Sequence, residues 1–275
     1  MRIANVAGRA TIVDGDRAID IAVASDGRFG PDPQQLLADW DAFLEAAPEL
    51  TGPAEPFDAV LLQNPVGVPG QVFAIGLNYR THAEESGMAV PSVPATFTKF
   101  PSSLSGPHDE IPVVGTTVDW EVELVAVIGR RADHVSEADA WSHVAGLTIG
   151  QDISDRTLQF AAGNQFSLGK SRRGYGPMGP WLVTLDEFDD AGDLGLGCSV
   201  NDEVVQDART SDLIFSVPQI ISELSAVLTL MPGDVIFTGT PSGVGMARKP
   251  PRALAAGDVL HTWIEGIGTI TNRCT

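Results

Sequence analysis

Residues 119–129 read DWEVELVAVIG, an alternation that is typical of a β-strand. Because strand side chains alternate, Glu121 and Glu123 share one face and lie about 7 Å apart. That face continues with Val125 and Val127, and the opposite face is also apolar, so both faces are predicted to be buried. Two carboxylates at the entrance of such a strand need a compensating partner, and the strand itself carries no basic residue.

A divalent metal ion is one such partner. The alternative is the exposed face of an edge strand, which is the commoner origin of a Glu-x-Glu pair. Asp152 follows the apolar run 145–151, as a third ligand at a strand end would, although by itself it could instead cap a following helix. Three carboxylates without His or Cys favour Mg²⁺ or Mn²⁺ over Zn²⁺, with Ca²⁺ as a further candidate.

Composition excludes several classes of protein. Hydrophobic residues make up 43% of the 275 residues, enough for a substantial core. The formal charge of −19 disfavours binding to nucleic acid or to anionic membranes. The two cysteines have neither the spacing of a zinc site nor that of a disulfide framework. With no signal-peptide pattern at Met1–Gly8 and no apolar run of about 20 residues, we expect a soluble, cytoplasmic protein.

The chain is predicted to have two parts. Residues 1–70 read as a small N-terminal α/β domain, with a hairpin near its start, a helix over 33–47 and a Pro-rich passage with a short strand over 60–62. Residues 71–275 read as a mainly β catalytic domain, giving an α+β protein overall. Its few predicted helices lie around 137–144 and 218–228.

Common catalytic motifs are absent from the sequence. The stretch GNQFSLGKS at 163–171 is not a phosphate-binding loop, because five residues separate its glycines where four are required. The chain has no GxGxxG after a strand, no HExxH and no GxSxG. Dehydrogenase, kinase and serine hydrolase interpretations therefore have no support.

A series of ordered motifs runs from about Val72 to the C-terminus. These are GLNYRTHAEE (76–85), TKFPSSLSGP (98–107), DWEVELVAVIGR (119–130), QDISDRTLQ (151–159), LGKS (168–171), GPMGPWLVT (176–184), PGDVIFTGTPSGVG (232–245) and IEGIG (264–268). In this order they resemble the fumarylacetoacetate hydrolase superfamily, and the N-terminal segment is similar to the small leader domain of its bacterial members. A single stretch would be weak, but eight in the family's order are specific.

The resemblance implies a fold, a site and an oligomeric state. The implied fold is a mixed β-sandwich roll, and the implied assembly is a homodimer. The implied site consists of three metal ligands (Glu121, Glu123 and Asp152), three catalytic residues (His82, Glu85 and Lys170) and three substrate-binding residues (Lys99, Arg156 and Thr240).

Some of these residues have simpler explanations on the sequence alone. His82 and Glu85 are three apart, on one helical turn, which could equally be a solvated helix start. Lys170 could be a surface lysine, and Thr240 could belong to a purely structural turn. Arg156 stands in a segment that reads Asp-Ile-Ser-Asp-Arg here and Asp-Val-Ser-Ala-Arg in many relatives, which puts its role in question.

The activity implied is metal-dependent hydrolysis of a C–C bond in a β-diketo or 2-oxo acid, such as an acylpyruvate or a fumarylacetoacetate-like compound. The metal would polarise the substrate carbonyl, and His82 would deprotonate the attacking water. An oxaloacetate decarboxylase or a 2-oxo-diacid isomerase or hydratase would use the same metal site. A more distant alternative is a non-catalytic ligand-binding homologue. The expected partner is a small oxo acid.

Overall fold

The computed structural model describes all 275 residues and places them in three β-sheets with short helices around them. The strands are β1 Arg2–Val6, β2 Arg9–Asp14, β3 Arg17–Asp20, β4 Glu55–Pro56, β5 Leu62–Gln63, β6 Val72–Gly76, β7 Ala95–Thr98, β8 Leu104–Ser105, β9 Val118–Asp119, β10 Val122–Ile128, β11 Val144–Gln151, β12 Ser154–Asp155, β13 Gly176–Val183, β14 Gly195–Val200, β15 Glu203–Arg209, β16 Val235–Phe237, β17 Val259–Ile264 and β18 Gly268–Arg273. The helices are α1 Ile21–Ala24, α2 Pro33–Ala38, α3 Trp40–Ala46, α4 Arg80–Glu85, α5 Arg156–Phe160 and α6 Val217–Ser225.

The largest sheet has twelve strands. Ten of them follow the order β4-β3-β2-β1-β13-β11-β10-β16-β6-β7, with β5 beside β1 and β8 beside β13. A second sheet has the order β15-β14-β17-β18, and β9 pairs with β12. The N-terminal strands join the large sheet where Arg2 and Ile3 of β1 pair with Val183 and Leu182 of β13. Strands from both sides of residue 70 therefore share one sheet, and the division into two domains stays a prediction.

Strand β10 lies inside the molecule, and all seven of its residues are buried. One face, including Val122 and Leu124, belongs to the larger hydrophobic core, which also contains Leu196 and Leu260 of the second sheet. The other face packs into a second core, through Val125 and Val127 and against the following residues of α2 and α3: Leu36, Leu37, Trp40 and Phe43. Both predictions are thereby confirmed: the strand is buried on both faces, and the fold is mainly β within an α+β architecture.

The helices differ in detail from the sequence prediction. The predicted helix over 33–47 is two helices that meet at Asp39, whose backbone leaves helical geometry. The segment around 137–144 forms only a 3-10 turn, Ala140–His143. The helix predicted over 218–228 is α6, which Ser216 begins with a capping box. None of the helices has the length and apolar character needed to traverse a lipid bilayer.

Gly146 in β11 provides a test of the close packing between strands. A Cβ atom at this position would lie 2.4 Å from the backbone oxygen of Val183 in β13, and a backbone atom cannot rotate away. We expect Gly146→Ala to lower the free energy of unfolding by about 1–3 kcal/mol, measured by denaturant titration. The control is Gly70→Ala, whose Cβ would meet only the Asp234 carboxylate, at 3.4 Å. Equal stabilities of the two variants would contradict the close contact.

The two cysteines, Cys198 and Cys274, are free and buried. Burial raises the pKa of both thiols, that of Cys274 to about 12. Since the thiolate is the reactive form, we expect both to react slowly with DTNB at pH 8 in the native protein and rapidly in guanidinium. The native rate should rise as pH increases. Rapid labelling of either thiol at neutral pH without denaturant would refute this expectation.

Candidate active site

The register between β10 and β11 brings three carboxylates together. Val122 of β10 pairs with Gln151 of β11, so Glu123 and Glu121, which directly precedes β10, lie beside Asp152, which directly follows β11. The backbone N–H of Asp152 donates a 2.9 Å hydrogen bond to the carbonyl oxygen of Glu121. One carboxylate oxygen from each residue lies within 4.8 Å of the others, and all three residues are buried. The N-cap of α5 is Asp155, so Asp152 is not the helix cap that the sequence left open.

Three basic side chains surround these carboxylates. Lys170 donates hydrogen bonds to Glu121 Oε2 at 2.7 Å and to Asp152 Oδ2 at 2.6 Å. Arg156 Nη1 lies 2.6 Å from Glu121 Oε1, and Lys99 Nζ lies 2.7 Å from Asp152 Oδ1. Each ion pair is buried, which strengthens its electrostatic attraction.

Neighbouring groups of opposite charge set the ionisation states of Glu121 and Lys170. Burial opposes ionisation of Glu121, but Lys170 and Arg156 outweigh it and lower the pKa of that carboxyl to about 2. Burial likewise opposes the charge on Lys170, but Asp152 and Glu121 raise the pKa of its ammonium group above the ordinary value. Glu121 is therefore ionised and Lys170 protonated at neutral pH.

Glu123 differs from the other two acids because it has no basic side chain as a partner. Its Oε2 accepts a 2.8 Å hydrogen bond from the backbone N–H of Gly239. Burial raises the pKa of Glu123 well above its usual range, and the negative charges of Asp152 and Glu121 raise it further. A divalent cation would relieve this repulsion, and carboxylate oxygens suit Mg²⁺ or Mn²⁺. The donor set thus fits a divalent metal ion.

His82 and Glu85 lie on α4 and form the pair that the family resemblance implied. His82 Nδ1 and Glu85 Oε1 are 2.8 Å apart, and Gly243 donates a 2.9 Å backbone hydrogen bond to Glu85 Oε2. His82 is buried and lines the same pocket as the three carboxylates. Because Glu85 occupies Nδ1, Nε2 is the ring nitrogen left for chemistry.

The remaining predicted residues are placed in different ways. Arg156 and Thr240 line the pocket with Lys170. Lys99 is fully buried (0% exposed) and does not line the pocket, because it lies behind Asp152 and donates to it there. Its position is that of a residue that holds Asp152, and a substrate contact by Lys99 is not part of this geometry.

The structure adds residues that the sequence reasoning missed. Gln159 lines the pocket and accepts a 2.9 Å hydrogen bond from Arg156 Nη1. Their spacing of three residues on a helix was the available signal. Gln206 donates to Thr240 Oγ1 at 2.8 Å, and Asn78 donates to the Thr238 backbone oxygen at 2.7 Å. These two bonds join segments that are distant in sequence, so no local sequence pattern predicts them.

Comparison with known proteins identifies the family that the sequence motifs resemble. A family model described as the C-terminal region of fumarylacetoacetate (FAA) hydrolase matches residues 71–275. The chain belongs to the fumarylacetoacetate hydrolase family. The human mitochondrial oxaloacetate tautomerase FAHD2B is 43% identical over 224 residues, which cover 80% of this chain and 71% of the human protein.

Solved structures of family members match the whole chain. A Mycobacterium smegmatis protein provisionally assigned as HpcE is 52% identical and superposes with a TM-score of 0.96, covering 100% of this chain and 99% of its own. Maleylpyruvate hydrolase from Sphingobium sp. SYK-6, solved with manganese(II) and pyruvate, is 32% identical with a TM-score of 0.80, at 100% and 99% coverage. Family membership makes the chain an enzyme of this group. The relative with manganese and the buried acidic cluster both support divalent metal binding.

Proposed function

We propose that this family member is a divalent-metal-dependent hydrolase that cleaves a C–C bond of a 2,4-dioxo acid such as an acylpyruvate. The observation that carries the proposal is the His82–Glu85 pair, whose His82 lines the same pocket as the three carboxylates. A base next to a metal site is what water-dependent cleavage of an activated carbonyl compound requires.

Glu121, Glu123 and Asp152 would hold the metal, which when bound would polarise the substrate's oxo group as a Lewis acid. His82 Nε2 takes a proton from water, and Glu85 stabilises the imidazolium that forms. The water oxygen bonds to the distal carbonyl carbon, and the bond from that carbon to the methylene breaks. Its electron pair stays on the methylene carbon, which takes the proton back from the His82 imidazolium and so restores the base. The products are a carboxylate and pyruvate.

Lys170 contributes a permanent positive charge at the floor of the pocket. Its ammonium group lies 2.6–2.7 Å from Asp152 and Glu121 and is fixed by a third hydrogen bond, 2.9 Å to Ser154 Oγ. A charge held in place by three buried partners needs no reorganisation as negative charge develops on the departing methylene carbon. We therefore assign Lys170 the stabilisation of that charge.

The experiment is a screen of 2-oxo and 2,4-dioxo acids with Mg²⁺ or Mn²⁺, in water enriched in ¹⁸O, with product identification by NMR and mass spectrometry. Hydrolysis predicts equal amounts of pyruvate and carboxylate, with one ¹⁸O atom in the carboxylate. If the metal-loaded enzyme leaves every 2,4-dioxo acid uncleaved, the hydrolase proposal is wrong.

A second candidate is tautomerisation of an oxo acid, favoured by the 43% identity to human oxaloacetate tautomerase FAHD2B. His82 would then move a proton between the methylene carbon and the oxo oxygen, and no carbon bond would break. Decarboxylation of oxaloacetate is a related use of the same site. Deuterium uptake at the methylene without cleavage identifies the tautomerase, and release of carbon dioxide identifies the decarboxylase.

A further inference from the structure

Three phenylalanines, Phe97, Phe160 and Phe166, line the pocket on its outer side and form what we call the aromatic cap. The ring of Phe166 stands edge-to-face against both others, with centroid distances of 5.9 Å to Phe97 and 5.6 Å to Phe160. Phe97 also lies next to the ammonium group of Lys170, whose Nζ is 5.3 Å from the ring centroid. The cap therefore begins directly above the groups that would hold the head of a substrate.

The rest of the pocket mouth is apolar and adaptable. Met88 and Met246 line it alongside the cap, and methionine side chains adjust readily to ligands of different shape. Met88 is 39% exposed and Phe160 is 38% exposed, so this apolar surface faces solvent at the entrance. Such a surface next to a buried polar floor is a site for the apolar part of a ligand.

Every basic side chain that lines the pocket already has an acidic partner. Lys170 contacts Glu121 and Asp152, and His82 contacts Glu85. Arg156 pairs with Glu121 and Asp119. No lining cation is free to pair with a second carboxylate at the far end of a substrate. A distal carboxylate would instead lie among phenyl rings, where an unpaired charge is unfavourable.

We propose that the aromatic cap selects oxo acids whose distal end is an uncharged aromatic or alkyl group and disfavours oxo-diacids. The proposal rests on the proposed function for the position of the oxo-acid head at the carboxylate cluster. It assigns the selection itself to Phe97, Phe160 and Phe166, which contact the distal group and do not take part in the proton transfers.

The test uses unreactive analogues, so that it does not depend on catalysis. Oxamate carries the oxo-acid head alone, N-phenyloxamate adds an aromatic end, and N-(carboxymethyl)oxamate adds a distal carboxylate. With Mn²⁺-loaded enzyme in a calorimeter, we expect N-phenyloxamate to bind about tenfold more tightly than N-(carboxymethyl)oxamate, from aromatic contacts with the cap and the unpaired charge of the diacid.

Variants of Phe160 test whether the aromatic cap causes the preference for N-phenyloxamate. Phe160→Ala should weaken N-phenyloxamate about fivefold through the loss of an aromatic contact and leave oxamate unchanged. Phe160→Arg should strengthen binding of N-(carboxymethyl)oxamate, because it supplies the missing cation. The control is Phe100→Ala, at a phenylalanine that is 45% exposed and does not line the pocket, and it should change none of the three affinities.

The proposal is overturned if the wild type binds N-(carboxymethyl)oxamate as tightly as N-phenyloxamate, if Phe160→Ala keeps the wild-type ratio, or if neither substituted analogue binds. Failure of the hydrolase proposal is a separate result. An enzyme that cleaves no dioxo acid but still prefers N-phenyloxamate retains the cap's selectivity and loses only the assigned reaction.

Discussion

Asp152→Asn is expected to abolish tight metal binding and to lower kcat/KM, measured in the presence of Mn²⁺, by about 10³-fold. The loss of Lewis-acid stabilisation raises the activation barrier by several kcal/mol. Asp152 is the carboxylate to which both Lys99 and Lys170 donate. An asparagine keeps the shape and removes the charge, so the two ammonium groups would then repel an incoming cation. The measurement is Mn²⁺ titration of the chelator-treated protein, followed by the assay.

The matched control is Asp234→Asn. Asp234 is also buried, in the turn before β16, but it does not line the pocket. Its carboxylate accepts backbone hydrogen bonds from Met231 in the same turn and from Gln71, which directly precedes β6. This variant should bind Mn²⁺ as the wild type does. Wild-type Mn²⁺ affinity in Asp152→Asn would show that the three carboxylates are not the metal site.

His82→Asn is expected to lower kcat for C–C hydrolysis by about 10²–10⁴-fold, the usual contribution of a general base. Metal affinity should stay close to that of the wild type, because His82 contacts Glu85 rather than the carboxylate cluster. Glu85→Gln should give a smaller loss, since the imidazole stays in place but its positive charge is no longer stabilised. Rapid-quench product analysis measures the chemical step directly.

The control for His82 is His108→Asn, at an exposed histidine that does not line the pocket; it should retain wild-type activity. The same pair of variants separates the two candidate reactions. If His82→Asn still hydrolyses dioxo acids but no longer exchanges the methylene protons, His82 serves proton shuttling and the hydrolytic role assigned to it is wrong.

Local patterns were sufficient to predict the central strand. The alternation from Glu121 onward indicated burial on both faces, and the structure places Val122 and Val125 in two different cores. The third carboxylate was only a candidate from local pattern, because Asp152 stands directly after an apolar run that becomes β11, and the family resemblance selected it as a ligand. Periodicity works here because strands β10 and β11 are long and have uniform surroundings.

The sequence could not show which side of the site each side chain occupies. Lys99 was expected to contact substrate, but its full burial behind Asp152 depends on how β7 runs beside β6, which local patterns do not encode. The aromatic cap was missed for the same reason. Phe97 and Phe166 are far apart in the chain, and only the tertiary fold makes them neighbours. The break at Asp39 and the 3-10 turn at Ala140–His143 were likewise not visible in the apolar periodicity.

The burial of β10 on both faces has an evolutionary consequence. The acids at its start are tied to a strand whose apolar side chains each fill one of two cores, so the part of the pocket that holds the carboxylates tolerates little change. The selecting residues Phe97, Phe160 and Phe166 stand instead on an edge strand, at the end of a short helix and in the segment after it. Substitutions in those outer segments can change substrate specificity while the carboxylate site stays the same. Such a scaffold allows related enzymes to evolve different substrate preferences.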